Sequence, residues 1–296
     1  MFRKLTILLV LAALGLSAGS AQAYFENTVI SPRARGMGES AVAVPDAQSS
    51  AFLNPAHLAR VRTAELGASY VQPFRMDFAD FYYLGGGAPV STKYGNFGFG
   101  FSNMQVEWRD VELLKETQFS LAHGVTLFED MHSSVDFGWS VSMYDVEAGQ
   151  TVDGTDPGSA TAFGVDVGMM MTLHTRTRIG FHIKNLNNPM IGHDEEELAR
   201  RLTGGLSYEP YDGVITTFEI ENDLYEETQY HGGIEFYLVE GFALRAGVVT
   251  NPSKLTGGFG YTFDRFTLQY GFSTGGGVLE STHQFGLNLA WGGEAK

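Results

Sequence analysis

The sequence contains no cysteine. That excludes a disulfide frame and the acylated cysteine of a lipoprotein. Charge is also scarce, at 18% of residues, and acids outnumber bases 34 to 19 for a formal net charge of −15. Nothing in that balance suits a nucleic acid. Beyond residue 23 no stretch approaches the roughly 20 consecutive apolar residues that a membrane-spanning helix needs. The eight histidines fall in no HxH or HExxH arrangement, so zinc is not expected. No cofactor is implied.

What the chain has in excess is glycine and aromatic rings: 37 glycines, 22 phenylalanines and 13 tyrosines in 296 residues. That mixture suits closely spaced strands and turns, in one large β domain or two small ones. Residues 1–23 read as a secretory signal peptide: Arg3 and Lys4 form the basic start, residues 5–16 the apolar run, and Ala21, Gln22 and Ala23 the cleavage site. Its removal takes two cations and leaves −17. The mature chain is then free in the periplasm, exported, or a barrel.

Alternation decides among these. From Glu65 onward about fourteen segments alternate in strand fashion, near the 9 to 11 residues of a tilted membrane strand. Phe97, Phe99 and Phe101 share a face against Asn96, Gly98, Gly100 and Ser102. In residues 134–144, Val135, Phe137, Trp139, Val141 and Met143 oppose Ser134, Asp136, Gly138, Ser140 and Ser142. Residues 163–172 repeat the division with Met170 as the exception, and the last example, residues 284–291, sets Phe285, Leu287, Leu289 and Trp291 against small and polar partners. An apolar face opposite a small or polar one suits lipid outside and a lined interior. Residues 65–74 and 77–87 fit less well, because rings fall on both faces. The expected fold is all-β: a closed antiparallel transmembrane barrel of about 14 strands, spanning residues 64–292 with a short tail at 293–296. One miscounted hairpin reduces the number to about 12.

The connections agree. Long ones are expected at residues 105–116, 147–160 and 187–200, and shorter versions at 222–228 and 273–281. They alternate with tight ones such as "FEDMH", "LHTRT" and "TFDR". Outer-membrane barrels have short periplasmic turns and longer outer loops, so the expected location is the bacterial outer membrane, with both termini on the periplasmic side.

Residues 24–63 lack sustained alternation, yet Met37, Val42, Val44, Phe52, Leu53 and Leu58 are costly to leave in water. A hatch or plug inside the lumen is expected. Residues 34–59, "ARGMGESAVAVPDAQSSAFLNPAHLA", resemble the N-terminal hatch signature of the FadL-type channel superfamily, and most closely its PorV/PorQ-like branch. Gly36, Met37 and Gly38 match the "GMGG" part, Asp46 and Ala47 the middle, and Asn54, Pro55, Ala56 and Leu58 the "NPAGLA" part. Glu39, Pro45 and His57 depart from it. The resemblance implies a fourteen-stranded outer-membrane barrel with a hatch. For the FadL branch it implies passage of hydrophobic compounds past the hatch toward an opening in the wall. For the PorV branch it implies service to secretion-system proteins or surface attachment.

Catalysis is not expected. Gly271 to Gly275 spell G-x-S-x-G, which needs a strand entering a helix, whereas this copy runs into Gly276 and Gly277. Ser281 and His283 are near neighbours by accident of the strand. The acidic stretches at 153–156 and 193–197 lack the ligand spacing of a calcium loop. On the face opposite the rings fall Asp136, Asp166, Arg178, His182, Lys184, Glu219, Glu235 and Arg245. These are expected either to pair across strands or with hatch residues such as Arg33, Arg35 and Asp46, or to line a polar path; their mixed signs oppose a selective ion ring.

Overall fold

A computed structural model describes residues 24–25, 29–91, 93–109, 111–149, 158–192, 195–223, 228–275 and 279–291. No helix among them is long and apolar enough to cross a membrane. Sixteen strands follow in chain order: β1 (Ala64–Gln72), β2 (Ala79–Ser91), β3 (Gly95–Trp108), β4 (Val111–Glu129), β5 (Ser134–Ala148), β6 (Ser159–Leu173), β7 (Thr177–Ile183), β8 (Met190–Ile191), β9 (Glu196–Glu197), β10 (Arg201–Tyr211), β11 (Val214–Asp223), β12 (Gln229–Val239), β13 (Phe242–Val249), β14 (Lys254–Phe263), β15 (Phe266–Ser273) and β16 (Thr282–Trp291). Fourteen of them form a closed antiparallel barrel, and β8 and β9 form a small separate ladder. Closure runs from Ala64 opposite Trp291 to Gln72 opposite His283. The barrel therefore has no free edge on which another strand could add.

Register puts the rings in rows. Phe101, Phe119, Met143 and Phe163 are successive cross-strand partners, and their exposures of 37%, 38%, 37% and 61% place the row outside, uncovered by protein. The inward row beside it is Gly100, Ser120, Ser142 and Gly164, with the two serine hydroxyls 2.6 Å apart. Moving toward the long connections, the next outward row turns polar. Asn103 donates to Thr117 at 3.1 Å and Thr161 to Asp145 at 2.7 Å. One step further, Lys115 pairs with Glu147 at 3.1 Å. The edge of the apolar band lies between these rows.

That edge explains a difference from the sequence reading. Residues 105–116, expected as a loop, are mostly strand, because β3 and β4 continue past the band to Trp108 and from Val111. Polar outward residues there mark strands standing in water, not the end of pairing. The stretch 187–200 is a connection, but one that contains the β8–β9 ladder. The mixed faces of β1 and β2 also find their cause. Val71, Phe81 and Tyr83 turn inward and form a buried cluster with Ile30, against which Phe52, Leu53 and Met104 pack. Met170, the exception in β6, is inward as well and fully buried.

Candidate functional site

Residues 29–63 lie inside the barrel and make a circuit of its wall. Helix α1 (Pro32–Gly36) starts at Ser31, whose hydroxyl accepts from Ala34 N–H, and packs against β13 to β16. Residues 37–44 cross β12, β11, β10 and β7. Helix α2 (Ser50–Leu53) and a 3₁₀ turn, Pro55–Arg60, complete the circuit against β2 to β6. The Asn54 side chain starts that turn by accepting from Ala56 N–H at 3.1 Å, and Pro55 supplies the preset φ of a first helical residue.

The wall meets this segment with glycine. A Cβ built on Gly138 or Gly168 would collide with Pro55 or Asn54, one on Gly180 with the Val42 carbonyl, and one on Gly233 or Gly247 with Met37 or Gly38 backbone. These positions face one another across strands: Gly138 opposes Gly168, and Gly233 opposes Gly247. The result is a belt of bare backbone where the segment comes closest. Gly38 itself sits at φ +68°, a left-handed conformation that favours glycine.

Polar groups then tie the segment to the belt's surroundings. Glu235, with no exposure, accepts from Arg33 at 2.6 Å and from Arg245 at 2.6 Å, and Arg245 also donates to Gln269 at 3.0 Å. One oxygen of Glu219 accepts from the backbone N–H groups of Ala41 and Val42, both at 2.8 Å, and from the Ser40 hydroxyl at 3.3 Å. Arg60 holds Asp136 through two bonds of 2.6 and 2.9 Å, and Glu129 at 2.7 Å. Arg35 donates to Gln284 at 2.7 Å, and Gln284 in turn donates to the Ile30 carbonyl at 2.9 Å. A charge removed from water costs little only when partnered in this way.

The residues of the N-terminal motif take distinct places. Gly36 lies against Gly258 and the Arg245 side chain, and Met37 is fully buried. Gly38 donates to Thr256 at 2.9 Å and its carbonyl accepts from His231 at 2.9 Å. Asp46 accepts from Ser49 at 2.7 Å and Ser31 at 3.3 Å. Ala56 and Leu58 are buried, Leu58 in a cluster with Ala47, Ala51, Val61 and Ala122. The three departures from the motif also have roles. Glu39 pairs with Lys254 at 3.5 Å, the Pro45 carbonyl accepts from Arg33 at 3.2 Å, and His57 Nε2 meets the Val42 carbonyl at 3.0 Å. Because a carbonyl only accepts, Nε2 carries the proton, and Asn54 donates to the same oxygen at 2.8 Å. Burial pushes the His57 pKa down to about 4, partly offset by that carbonyl.

The remaining inward charges are less tied to the segment. Asp166 accepts from Ser140 at 3.1 Å and Asn185 N–H at 2.8 Å. Arg178 is half-buried. His182 is buried with Nε2 unpartnered, and Lys184 lies with Nζ 5.9 Å from the Tyr144 ring centre. His182 and Lys184 border a cavity of about 480 Å³. It opens at the end of the barrel carrying the long connections, as Pro73, Pro252 and Leu279 on its rim indicate. Its floor is the segment itself, through Arg35, Val42, Phe52 and Leu53, and Phe74, Met104 and Leu114 make an apolar side. Strand pairing continues around the wall at every neighbour pair.

Three sites set aside from the sequence can be placed. Ser273 of the G-x-S-x-G run ends a strand and accepts from Arg35 at 3.1 Å. Ser281 and His283 are hydrogen-bonded at 3.0 Å on the outward face, where Tyr270 holds the other ring nitrogen at 2.7 Å. Residues 153–156, 193 and 194 lie outside the described residues, and no metal-binding group of carboxylates and histidines occurs among the rest. Sequence reasoning missed Arg60, Gln284 and the inward Phe81 and Tyr83; rings on both faces of β2 were the signal for the last two. It also placed residue 24 at the wrong end. Tyr24 and Phe25 pack against Tyr144, Val146 and Leu198, at the long-connection end, because the segment threads the lumen before β1 begins at the other end.

No family model matches the sequence, and no curated protein does. Solved structures share the fold. The monoaromatic hydrocarbon channel CymD aligns over 91% of this chain and 100% of its own, at 14% identity and a TM-score of 0.61. The Ralstonia pickettii toluene transporter TbuX aligns over 90% and 100%, at 12% and 0.61. A Pseudomonas aeruginosa FadL homologue aligns over 88% and 98%, at 11% and 0.54. At such identities the likeness is one of architecture: a closed antiparallel barrel of fourteen strands.

Proposed function

We propose that this protein is a passive channel of the bacterial outer membrane for small hydrophobic compounds, with residues 24–63 acting as its hatch. The observation that carries the proposal is the cavity of about 480 Å³ between the segment and the long connections. Its size lies within the range of small-molecule sites, and it is floored by the lumenal segment, whose displacement would open the lumen. The architectural neighbours, described as channels or transporters of toluene and monoaromatic hydrocarbons, support the same reading. The row of uncovered rings around the wall supports the membrane location, with lipid as the outer partner.

A second reading has its own support. Strand pairing is continuous around the barrel, and the segment is bonded to the wall on all sides. A sealed barrel of that kind suits a non-transporting role in protein secretion or surface attachment. Uptake of a labelled hydrophobic compound into liposomes carrying the intact protein, or the protein without residues 24–63, separates the two. The channel reading expects slow uptake that rises on removal. Impermeability in both would defeat it.

A further inference from the structure

Lys184 is buried without an acceptor for its ammonium. It is 8% exposed and finds no side-chain hydrogen bond or ion pair among the described residues; the Tyr144 ring, at 5.9 Å, lies at the limit of a cation–π contact. The carboxylates that act on it from a distance are engaged elsewhere. Asp166 accepts from Ser140 and the Asn185 N–H, Glu221 lies 3.7 Å from Arg201, and Glu116 accepts from the Phe25 N–H at 3.1 Å. Lys184 also borders the cavity of about 480 Å³, beside His182, whose Nε2 is unpartnered, and Thr203, the cross-strand neighbour of His182. The same cavity has its apolar side in Phe52, Leu53, Phe74, Met104 and Leu114. Charges on its lining balance. Glu39 faces Arg35 and Lys254, Glu221 faces Arg201, and with Glu116, Glu219 and Lys184 there are four carboxylates against four cations, counting histidine as neutral.

We propose that this cavity selects small neutral ketones and aldehydes with an aryl or alicyclic body, and that Lys184 donates to their carbonyl oxygen. The inference rests on the reading of the cavity as a site for small hydrophobic compounds, and names which of them it prefers. Water can serve the ammonium while the cavity is open. A hydrocarbon that fills the space takes that water away and returns nothing, which is costly for a buried charged donor. A carbonyl oxygen accepts through two lone pairs and carries no net charge. It therefore replaces the water and leaves the balance of the lining unchanged. A carboxylate would also reach Lys184, but it brings an uncompensated charge into a neutral lining, beside Glu116, Glu219 and Glu221.

The test is equilibrium binding of acetophenone, α-methylstyrene and benzoate to the protein in detergent, with protein-free micelles as the blank. α-Methylstyrene has the shape of acetophenone with a methylene in place of the oxygen. The unaltered protein is expected to bind acetophenone about tenfold or more tightly than either of the others, the margin that a hydrogen bond to a charged group supplies. Lys184→Met should bring acetophenone and α-methylstyrene to within about threefold of each other by weakening the ketone. Infrared spectroscopy of acetophenone bound to the unaltered protein reads the same bond and needs no variant to fold: the carbonyl stretch should fall below its value in micelles. Equal binding of acetophenone and α-methylstyrene, tighter binding of benzoate, a preference that survives Lys184→Met, or an unshifted stretch would overturn the proposal. Each of those results leaves the cavity a site for small hydrophobic compounds, whereas failure of all three to bind removes that reading together with this one. Binding in detergent requires no passage, so a barrel that proves impermeable leaves the result untouched.

Discussion

Two levels of the same inner wall differ sharply. Along β7 and just past its end the inward positions run Gly180, His182, Lys184 toward the long connections, and along β10 they run Gly205, Thr203, Arg201. At the first level the wall is bare and the segment's backbone lies against it. Two residues on, the wall carries long polar side chains around open space. The wall is bare only where something else fills the lumen. Glycine in a strand weakens it, and here that cost is offset by burial of the segment and by the hydrogen bonds that bare backbone allows.

This contrast can be broken most severely at the belt. Gly138→Val would drive a side chain into Pro55 and Ala56, and the strain, of roughly 1–3 kcal/mol or more, should unseat the 3₁₀ turn. Gly204→Val is the control, since a Cβ there finds ordinary contact with Phe181. Amide hydrogen exchange of residues 50–60 should speed up in the first and not the second. Glu235→Ala comes close behind. It leaves the buried Arg245 and the half-buried Arg33 without their shared partner, at about 3–5 kcal/mol for a broken buried pair, and should lower the temperature at which the segment loses exchange protection.

Acid should act on the same segment through His57. Its folded pKa of about 4 lies below the unfolded value of 6.5, so the unfolded state binds more protons between those limits. Stability is full above the unfolded value and falls as pH drops through this window, by a total of about 3 kcal/mol on the usual conversion. Exchange of the Val42 region measured from pH 7 to 4 should show the loss, and His57→Gln should flatten it. The smallest effect is expected at the upper level. Thr203→Ala alters a side chain facing open space, and segment protection should change by less than about 0.5 kcal/mol.

How much of this was legible beforehand follows the same division. The outward rows were plain, because Phe97, Phe99 and Phe101 repeat at the period of a strand and nothing else in the chain could cover them. The closed fourteen-stranded barrel followed from that period and from the connections. The motif at Gly36 to Leu58 pointed to a special segment, but not to its route, because contacts such as Arg33 to Glu235 join residues 202 apart and depend on closure. Residues 105–116 were misread because a strand leaving the apolar band loses the contrast between its faces. The position of Phe25 carried no local signal, since two adjacent aromatic residues look alike whichever end of the lumen they reach.

The central claim is that residues 24–63, held against the glycine belt, are what closes the lumen. Planar-bilayer conductance of the intact protein beside a form lacking those residues tests it most directly. The account expects the intact protein to be silent and the shortened form to give stable conductance steps. Steps of equal size from both, or silence from both with the barrel intact, would contradict it.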